Sequence, residues 1–324
     1  MDYKKCLEEA LRAYSFDEPA FEFIRHNENM TYKITDKRSS YLLRIHKPIA
    51  RNMEGIQTTP EAIRSELDFL QAWSVHADLP VQTPVANCNG ELVTMIRIGQ
   101  EVIPCTVLKW IDGDVLSKQE MNSEEEARTL GTRIAMLHQF SQSYQKGPAC
   151  IRPEYGREWI HSMIFKLRHG EEQGILSDRD FQILEQTMRK MIEWMTLWEA
   201  TPETWGFIHA DMNYSNLIRS PKGISMIDFG LSGYGYYAMD LAMGALLVES
   251  KHRDALLAGY GRCMTGSMDD LAQLEAFMFL AIVGYYTFVL SQPDKLTWIE
   301  DHISGLIDHI CLPLLSGQRV FYTI

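Results

Sequence analysis

The sequence predicts an α+β protein in two lobes. Short β-prone runs crowd the chain before residue 110, helical periodicity dominates after residue 113, and 324 residues suffice for two buried cores. A composition of 46% hydrophobic and 23% charged residues is that of an ordinary globular chain and excludes a disordered or fibrous one.

The first segment, MDYKKCLEEALRAYSF, mixes acids and bases through its early turns and reads as an amphipathic helix. It has no apolar h-region, so it is not a signal peptide. FEFIRHN, MTYKIT and SYLLRIH follow as an antiparallel meander, separated by the polar turns HNEN and TDKRSS. In PEAIRSELDFLQAWSV, Ile63, Leu67, Leu70 and Trp73 form a helical stripe, with Pro60 at its start. ELVTMIRI and EVIPCTVLKWI, divided by Gly99 and Gln100, predict a second hairpin. The small lobe is therefore a five-stranded antiparallel sheet with one inserted helix, over residues 1–110.

Residues 111–324 read as the larger, mostly helical lobe. SEEEARTLGTRIAMLHQFS, REWIHSMIFKLRHG and SDRDFQILEQTMRKMIEWMTLW are helical, and apolar helices follow Asp240. The acids Glu124 to Glu126 form a solvated first turn with Ser123 as its cap. Only WGFIHA, SNLIRS and GISMIDF look like strands. The run Ala276 to Leu290 falls short of the roughly 20 apolar residues of a membrane span and reads as a buried helix. The tryptophans and tyrosines of this lobe, among them Trp159, Trp198, Tyr236 and Tyr286, read as core rather than as an aromatic cage for a cation.

A net charge of -12 argues against nucleic acid as a partner, since phosphate backbones are held by Lys and Arg. Nothing points to a membrane partner. Six cysteines without a C-x-x-C pair suit reduced thiols in the cytoplasm. Walker A, H-E-x-x-H, G-x-S-x-G and G-x-G-x-x-G motifs are absent, which removes the P-loop, zincin, hydrolase and dinucleotide-binding classes.

The chemistry concentrates in HADMNYSN, His209 to Asn216, and in IDFG, Ile227 to Gly230. Asn216 and Asp228 supply an amide and a carboxylate oxygen, hard ligands suited to Mg²⁺, which takes its other ligands from water and phosphate. Asp211 stands on the same loop as a separate carboxylate able to accept the proton of an attacking hydroxyl. Together they suit phosphoryl transfer.

His209-x-Asp211-x-x-x-x-Asn216 followed by Ile227-Asp228-Phe229-Gly230 resembles the catalytic and metal loops of the aminoglycoside phosphotransferase and choline kinase superfamily, the protein-kinase-like small-molecule kinases. The resemblance implies a two-lobed protein-kinase-like fold, Asp211 as catalytic base, and Asn216 and Asp228 as metal ligands. His209 then reads as a packed loop residue, because the aspartate is the proton acceptor in the kinase template. Tyr237 to Ala242 resembles the family's Y-x-x-D-L-A helix start, which makes Asp240 a brace for the catalytic loop.

In the small lobe, Tyr41-Leu42-Leu43-Arg44 resembles the family's third strand, with Arg44 on the nucleotide phosphates and Glu66 as its partner. Arg replaces the commoner Lys and keeps charge and reach while adding a fork. Lys47 is the alternative, although Pro48 suggests that the strand has ended. The phosphate-covering loop is His26 to Asn29, with Asn29 assigned to the nucleotide, and VLKWIDG is the interlobe hinge, where Lys109 and Ile111 meet the adenine. Ala210 stands where Gly is commoner and is expected at an ordinary backbone angle.

The implied activity is transfer of the γ-phosphoryl of ATP or GTP, with Mg²⁺, to a hydroxyl of a small-molecule acceptor that also carries an amine. No APE-type segment follows Gly230, which favours a small acceptor over a protein. Two alternatives stay open at this point: a nucleotide-binding pseudokinase with a regulatory or scaffold role, and an atypical Ser/Thr protein kinase of the same superfamily.

Overall fold

Alternation in MTYKIT and SYLLRI sends Met30, Tyr32, Ile34, Leu43 and Ile45 to one side of a pleated sheet and Thr31 and Arg44 to the other. The computed structural model describes residues 3–26, 29–48, 58–264, 271–292 and 295–324. Asn27 and Glu28 of the expected phosphate-covering loop lie outside the described residues. The chain forms two compact units, one of 1–115, 144–153 and 216–232, the other of 116–143, 154–215 and 233–324.

The first unit contains α1 (Tyr3–Arg12), β1 (Ala20–His26), β2 (Met30–Thr35), β3 (Ser40–Ile45), α2 (Pro60–His76), β4 (Pro84–Val85), β5 (Thr94–Ile98), β6 (Glu101–Lys109), β7 (Asp114–Val115), β10 (Leu217–Ser220) and β11 (Gly223–Met226). The main sheet runs β1-β2-β3-β6-β4, with β5 paired to β6, and all its pairs are antiparallel. It has six strands where five were expected. The extra strand, β4, is two residues long and begins with Pro84, so it offers neither alternation nor an N–H at that position.

On one face, Cys6, Leu7 and Ala10 of α1 pack with Met30, Ile34, Leu43, Ile45, Cys105 and Val107. The opposite face carries a transverse row in which Arg25 pairs with Thr31, Thr31 with Arg44, and Arg44 with Thr106. A smaller antiparallel sheet, β11-β10-β7, completes this unit.

The second unit contains α3 (Glu124–Ser143), β8 (Glu154–Tyr155), α4 (Arg157–Glu172), α5 (Asp178–Met195), β9 (Trp205–Ile208), β12 (Gly233–Tyr236), α6 (Tyr237–Leu247), α7 (Arg253–Gly261), α8 (Leu271–Val289), α9 (Leu296–Leu306) and α10 (Leu312–Leu315). Ser123 and Ser177 cap α3 and α5, accepting the N–H groups of Glu126 and Asp180 at 3.1 Å. The α3–α7 crossing needs two glycines: a Cβ at Gly131 would strike the Leu256 carbonyl, and one at Gly259 the Arg128 carbonyl.

Helix α8 is long and apolar enough to cross a membrane by length and composition, but 61% of its apolar window is buried inside the fold. It is a core helix packed on α6. Trp198, Trp205, Tyr236 and Phe277 form an aromatic cluster in this core. All six cysteines are free; Cys6, Cys105 and Cys311 are buried as expected, whereas Cys150 and Cys263 are half-buried and Cys88 is exposed.

Candidate active site

In the first unit, β10 and β11 form a hairpin whose open end is closed by the Ile227 N–H donating to the Asn216 carbonyl at 2.9 Å. Asn216, just before β10, and Asp228, just after β11, therefore emerge side by side. Asn216 is buried. Asp228 takes the left-handed region, φ 64° and ψ 65°, which Asp tolerates better than most residues. Its N–H donates to Gln82 Oε1 at 3.0 Å, and its Oδ2 lies 2.7 Å from Arg25 Nη2.

The segment after Asp228 is held by Arg152, a buried residue far away in sequence. Its guanidinium donates to the carbonyls of Phe229, Gly230 and Ser232 and also to that of Ala62 on α2. The Ile151 N–H donates to Ser65 Oγ, which ties the same segment to α2 again. Phe229 packs on Phe69 and Trp73 of α2. The loop bearing Asp228 and the helix bearing Glu66 are thus locked together within one unit.

Arg44 and Glu66 form the expected pair, Nη1 to Oε1 at 2.9 Å, with side chains only 4% and 3% exposed. Arg44 Nε reaches Thr106 Oγ1 at 3.4 Å, whereas Nη2 is buried with no hydrogen-bond partner among the described residues. Desolvating a guanidinium is costly unless its donors are met. Lys47 lies beyond the end of β3 and pairs with Glu101. Asn29 is buried between β1 and β2. Lys109 ends β6, and its N–H is committed to the Thr83 carbonyl at 2.8 Å; Ile111 is buried.

Asp240 is the hub of the second unit's half of the motif. Its Oδ2 accepts the His209 N–H at 2.7 Å and faces His138 Nε2 at 3.1 Å, while Oδ1 accepts the Ala210 N–H at 2.8 Å. Burial pushes this carboxyl up, but the hydrogen bond and charge of His138, then His209, outweigh it and hold Asp240 below the usual carboxylate range. His138 bridges two buried groups, with Nε2 facing Asp240 Oδ2 and Nδ1 lying 2.9 Å from the Tyr260 hydroxyl. Burial, then Tyr237 and Asp240, push that phenol well up, so it keeps its proton.

His209 is fully buried, and its Nδ1 accepts the Asp211 N–H at 3.2 Å. Asp211 is half-buried and takes a hydrogen bond from Asn213 Nδ2 on Oδ1 at 3.2 Å. Ala210 departs from the expectation of an ordinary backbone angle: its φ is 61°, in the left-handed region. A Cβ there costs roughly 1–2 kcal/mol, and the paired N–H bonds to Asp240 hold the strained turn.

Sequence reading missed Arg25, Gln82, His138 and Arg152. None lies in a spaced motif; each acts through a long-range contact, and a lone arginine in a loop carries no local sign of the four carbonyls it binds. Among the described residues no cluster of three or more His, Cys, Asp or Glu is placed to hold a metal. The Asn216 and Asp228 oxygens at one hairpin end fit a hard cation that draws its remaining ligands from phosphate and water.

Residues 21–277 match the phosphotransferase enzyme family. The chain is 22% identical over 242 residues to the amicoumacin kinase of Bacillus subtilis (strain 168), a match spanning 74% of this chain and 66% of that relative, just under two thirds of its length. Among solved structures it resembles a microcompartment-associated aminopropanol kinase, with a TM-score of 0.79, 22% identity and coverage of 97% and 98% of the two chains. An amicoumacin kinase in complex with AMP-PNP, Ca²⁺ and Ami gives a TM-score of 0.77 at 19% identity, covering 95% and 94%. Choline kinase from Cryptosporidium parvum Iowa II gives 0.67 at 11%, covering 99% of each chain. The fold is the two-lobed, protein-kinase-like α+β fold of small-molecule kinases. The chain belongs to the phosphotransferase enzyme family.

Proposed function

We propose that this protein is a kinase that transfers the γ-phosphoryl group of ATP or GTP, in the presence of Mg²⁺, to a hydroxyl of a small molecule that also carries an amine. The observation that carries the reading is the buried Arg44 guanidinium: it is braced by Glu66, and its Nη2 has no hydrogen-bond partner among the described residues. An oxyanion satisfies such a donor, and a guanidinium ion-paired with one carboxylate keeps donors for a phosphate oxygen. Asn216 and Asp228 would hold the cation, which supplies charge neutralisation between phosphates when bound.

Asp211, which lies five residues before Asn216 in sequence, would accept the acceptor hydroxyl's proton on its carboxylate, with Asn213 fixing the rotamer. His209 and Asp240 hold the loop backbone and take no part in proton transfer. Asn29, the Lys109 carbonyl and the Ile111 backbone would position the nucleotide. Support for an amine-bearing acceptor comes from the related aminopropanol and choline kinases, and a reducing cytoplasm suits the six free thiols.

The test pairs calorimetry with a coupled assay of nucleotide consumption over amino alcohols, sugars, aminoglycosides and a generic protein. Asp211→Asn should keep MgATP affinity while turnover falls by about 10² to 10⁴, the usual worth of a positioned base. Asp228→Asn should impair both metal-dependent binding and turnover. Wild-type turnover in both variants refutes the mechanism. Tight MgATP binding without turnover on any acceptor favours the pseudokinase alternative, and turnover on the protein alone favours the protein kinase.

A further inference from the structure

Arg25 has no role in the site as described so far, yet its guanidinium holds Asp228. An ion pair between groups 46% and 28% exposed contributes little to stability by itself. The placement of Arg25 gives it a different significance. The β1–β2 register shifts between Phe23 and Arg25: Phe23 pairs with Tyr32, Arg25 pairs with the next residue, Thr31, and Ile24 takes no register partner. Without that shift Arg25 would share the face of Phe23. The irregularity turns it over, as β-bulges do when they re-aim a side chain, and Thr31 Oγ1 anchors the turned residue through the Arg25 carbonyl at 3.2 Å.

Arg25 thereby joins Thr31, Arg44 and Thr106 in one row across one sheet face. Two arginines stand in that row with their backbones two strand spacings apart, roughly 10 Å. Each faces a carboxylate from outside the sheet, Arg44 on Glu66 and Arg25 on Asp228. The two pairs differ in one respect. The Arg44 pair is sealed, whereas the Arg25 pair is partly solvated, and a long side chain there is free to turn.

We propose that Arg25 is a second phosphate-binding residue of the nucleotide site, held on Asp228 in the free protein and exchanged there for the divalent cation when the metal nucleotide binds. This rests on the nucleotide reading of Arg44, Asn216 and Asp228 given above. A guanidinium on Asp228 Oδ2 and a cation on the same oxygen repel each other, so arrival of the metal releases Arg25. The released fork then closes on the phosphates from the side opposite Arg44, and the row's two cations flank a di- or triphosphate.

The test uses the full chain and calorimetric titration with ATP, with and without Mg²⁺, and with adenosine by competition. Arg25→Ala should weaken MgATP binding about 10-fold, the scale of one charge-assisted contact, weaken metal-free ATP binding by a smaller factor because Asp228 still holds Arg25 there, and leave adenosine within twofold. Arg25→Lys should recover part of the loss. Asp228→Asn should strengthen metal-free ATP binding by freeing Arg25, and the gain should vanish in the Arg25→Ala/Asp228→Asn double variant.

Unchanged ATP affinity in Arg25→Ala, equal losses for ATP and adenosine, or a gain in Asp228→Asn that survives without Arg25 each overturn the proposal. If wild type binds neither ATP nor MgATP at millimolar concentration, the nucleotide reading falls and Arg25's role with it. If wild type binds and Arg25→Ala matches it, only the Arg25 assignment fails.

Discussion

Replacing Asp240 with Asn tests whether the HAD loop is held by a buried charge or only by shape. Asp240 is fully buried, and its two oxygens receive the His209 and Ala210 N–H groups and face His138 Nε2. Asparagine preserves the volume and one carbonyl oxygen but turns the other oxygen into a donor, which then confronts a donor. Whichever way the amide is flipped, at least one N–H is left buried and unmet, at about 1–3 kcal/mol, and the bonds that remain lose charge assistance. The left-handed turn at Ala210, strained by roughly 1–2 kcal/mol, loses part of its support as well. The expected loss is about 3–5 kcal/mol, the range for breaking a buried charged pair, against a typical total of 5–15 kcal/mol.

Equilibrium urea unfolding at neutral pH, read from the midpoint at constant slope, measures this loss. The pH dependence has a definite sign. Asp240 is held below the ordinary carboxylate range, so its contribution is complete at any pH above its unfolded value and is lost as pH falls through the depressed folded value. The gap between wild type and Asp240→Asn should therefore stay constant through neutral pH and close only in strong acid. A gap under about 1 kcal/mol at neutral pH, or one that widens on acidification, refutes the reasoning.

Ala210→Gly should stabilise the protein by about 0.5–1 kcal/mol, the relief of left-handed strain less the added unfolded-state entropy, and unfolding midpoints will show it; a loss of stability would place Ala210 outside that region. Arg44→Ala should cost about 3–5 kcal/mol by stranding buried Glu66 and should also weaken nucleotide binding, with Arg44→Lys recovering only part of the binding. If Lys47→Ala loses nucleotide and Arg44→Ala does not, the phosphate anchor has been assigned to the wrong residue. Gly131→Ala should destabilise by about 1–3 kcal/mol or more because the new methyl meets the Leu256 backbone, and a neutral result in thermal unfolding would show that α3 and α7 have room to part.

Periodic elements were legible because their own residues decide them. The alternation in MTYKIT and SYLLRI, the stripe of α2 and the Ser123 cap of α3 each appear in the structure where the sequence put them. The two-residue strands β4, β7 and β8 were not legible, because so short a run has no period, and β12, Gly-Tyr-Gly-Tyr, was not because half of it is glycine. Their pairing is set by neighbours: β12 takes β9 on one side and β8 on the other. The motif residues announced themselves by type and spacing, but the contacts that fix them did not. Gln82 lies 146 residues from the Asp228 N–H it accepts, and His138 lies 102 from Asp240.

The angle at Ala210 shows why inference from residue type fails at such places. Alanine prefers an ordinary φ, and only a carboxylate 30 residues further on, receiving two consecutive N–H groups, makes the left-handed turn the better state. Asp228 repeats the pattern in the other unit, left-handed again, with its own N–H on Gln82 and the carbonyls of Phe229, Gly230 and Ser232 beyond it clamped by Arg152. Apart from Glu18 in a surface turn, these two residues are the non-glycine left-handed positions among the described residues. Strained backbone persists only where the surroundings over-determine it. Each loop has a dedicated set of buried hydrogen bonds within its own unit, so each carboxylate is positioned before any ligand arrives. Binding energy then need not be spent on arranging the loops, which is the condition under which Asp211 and Asp228 can act as preorganised groups.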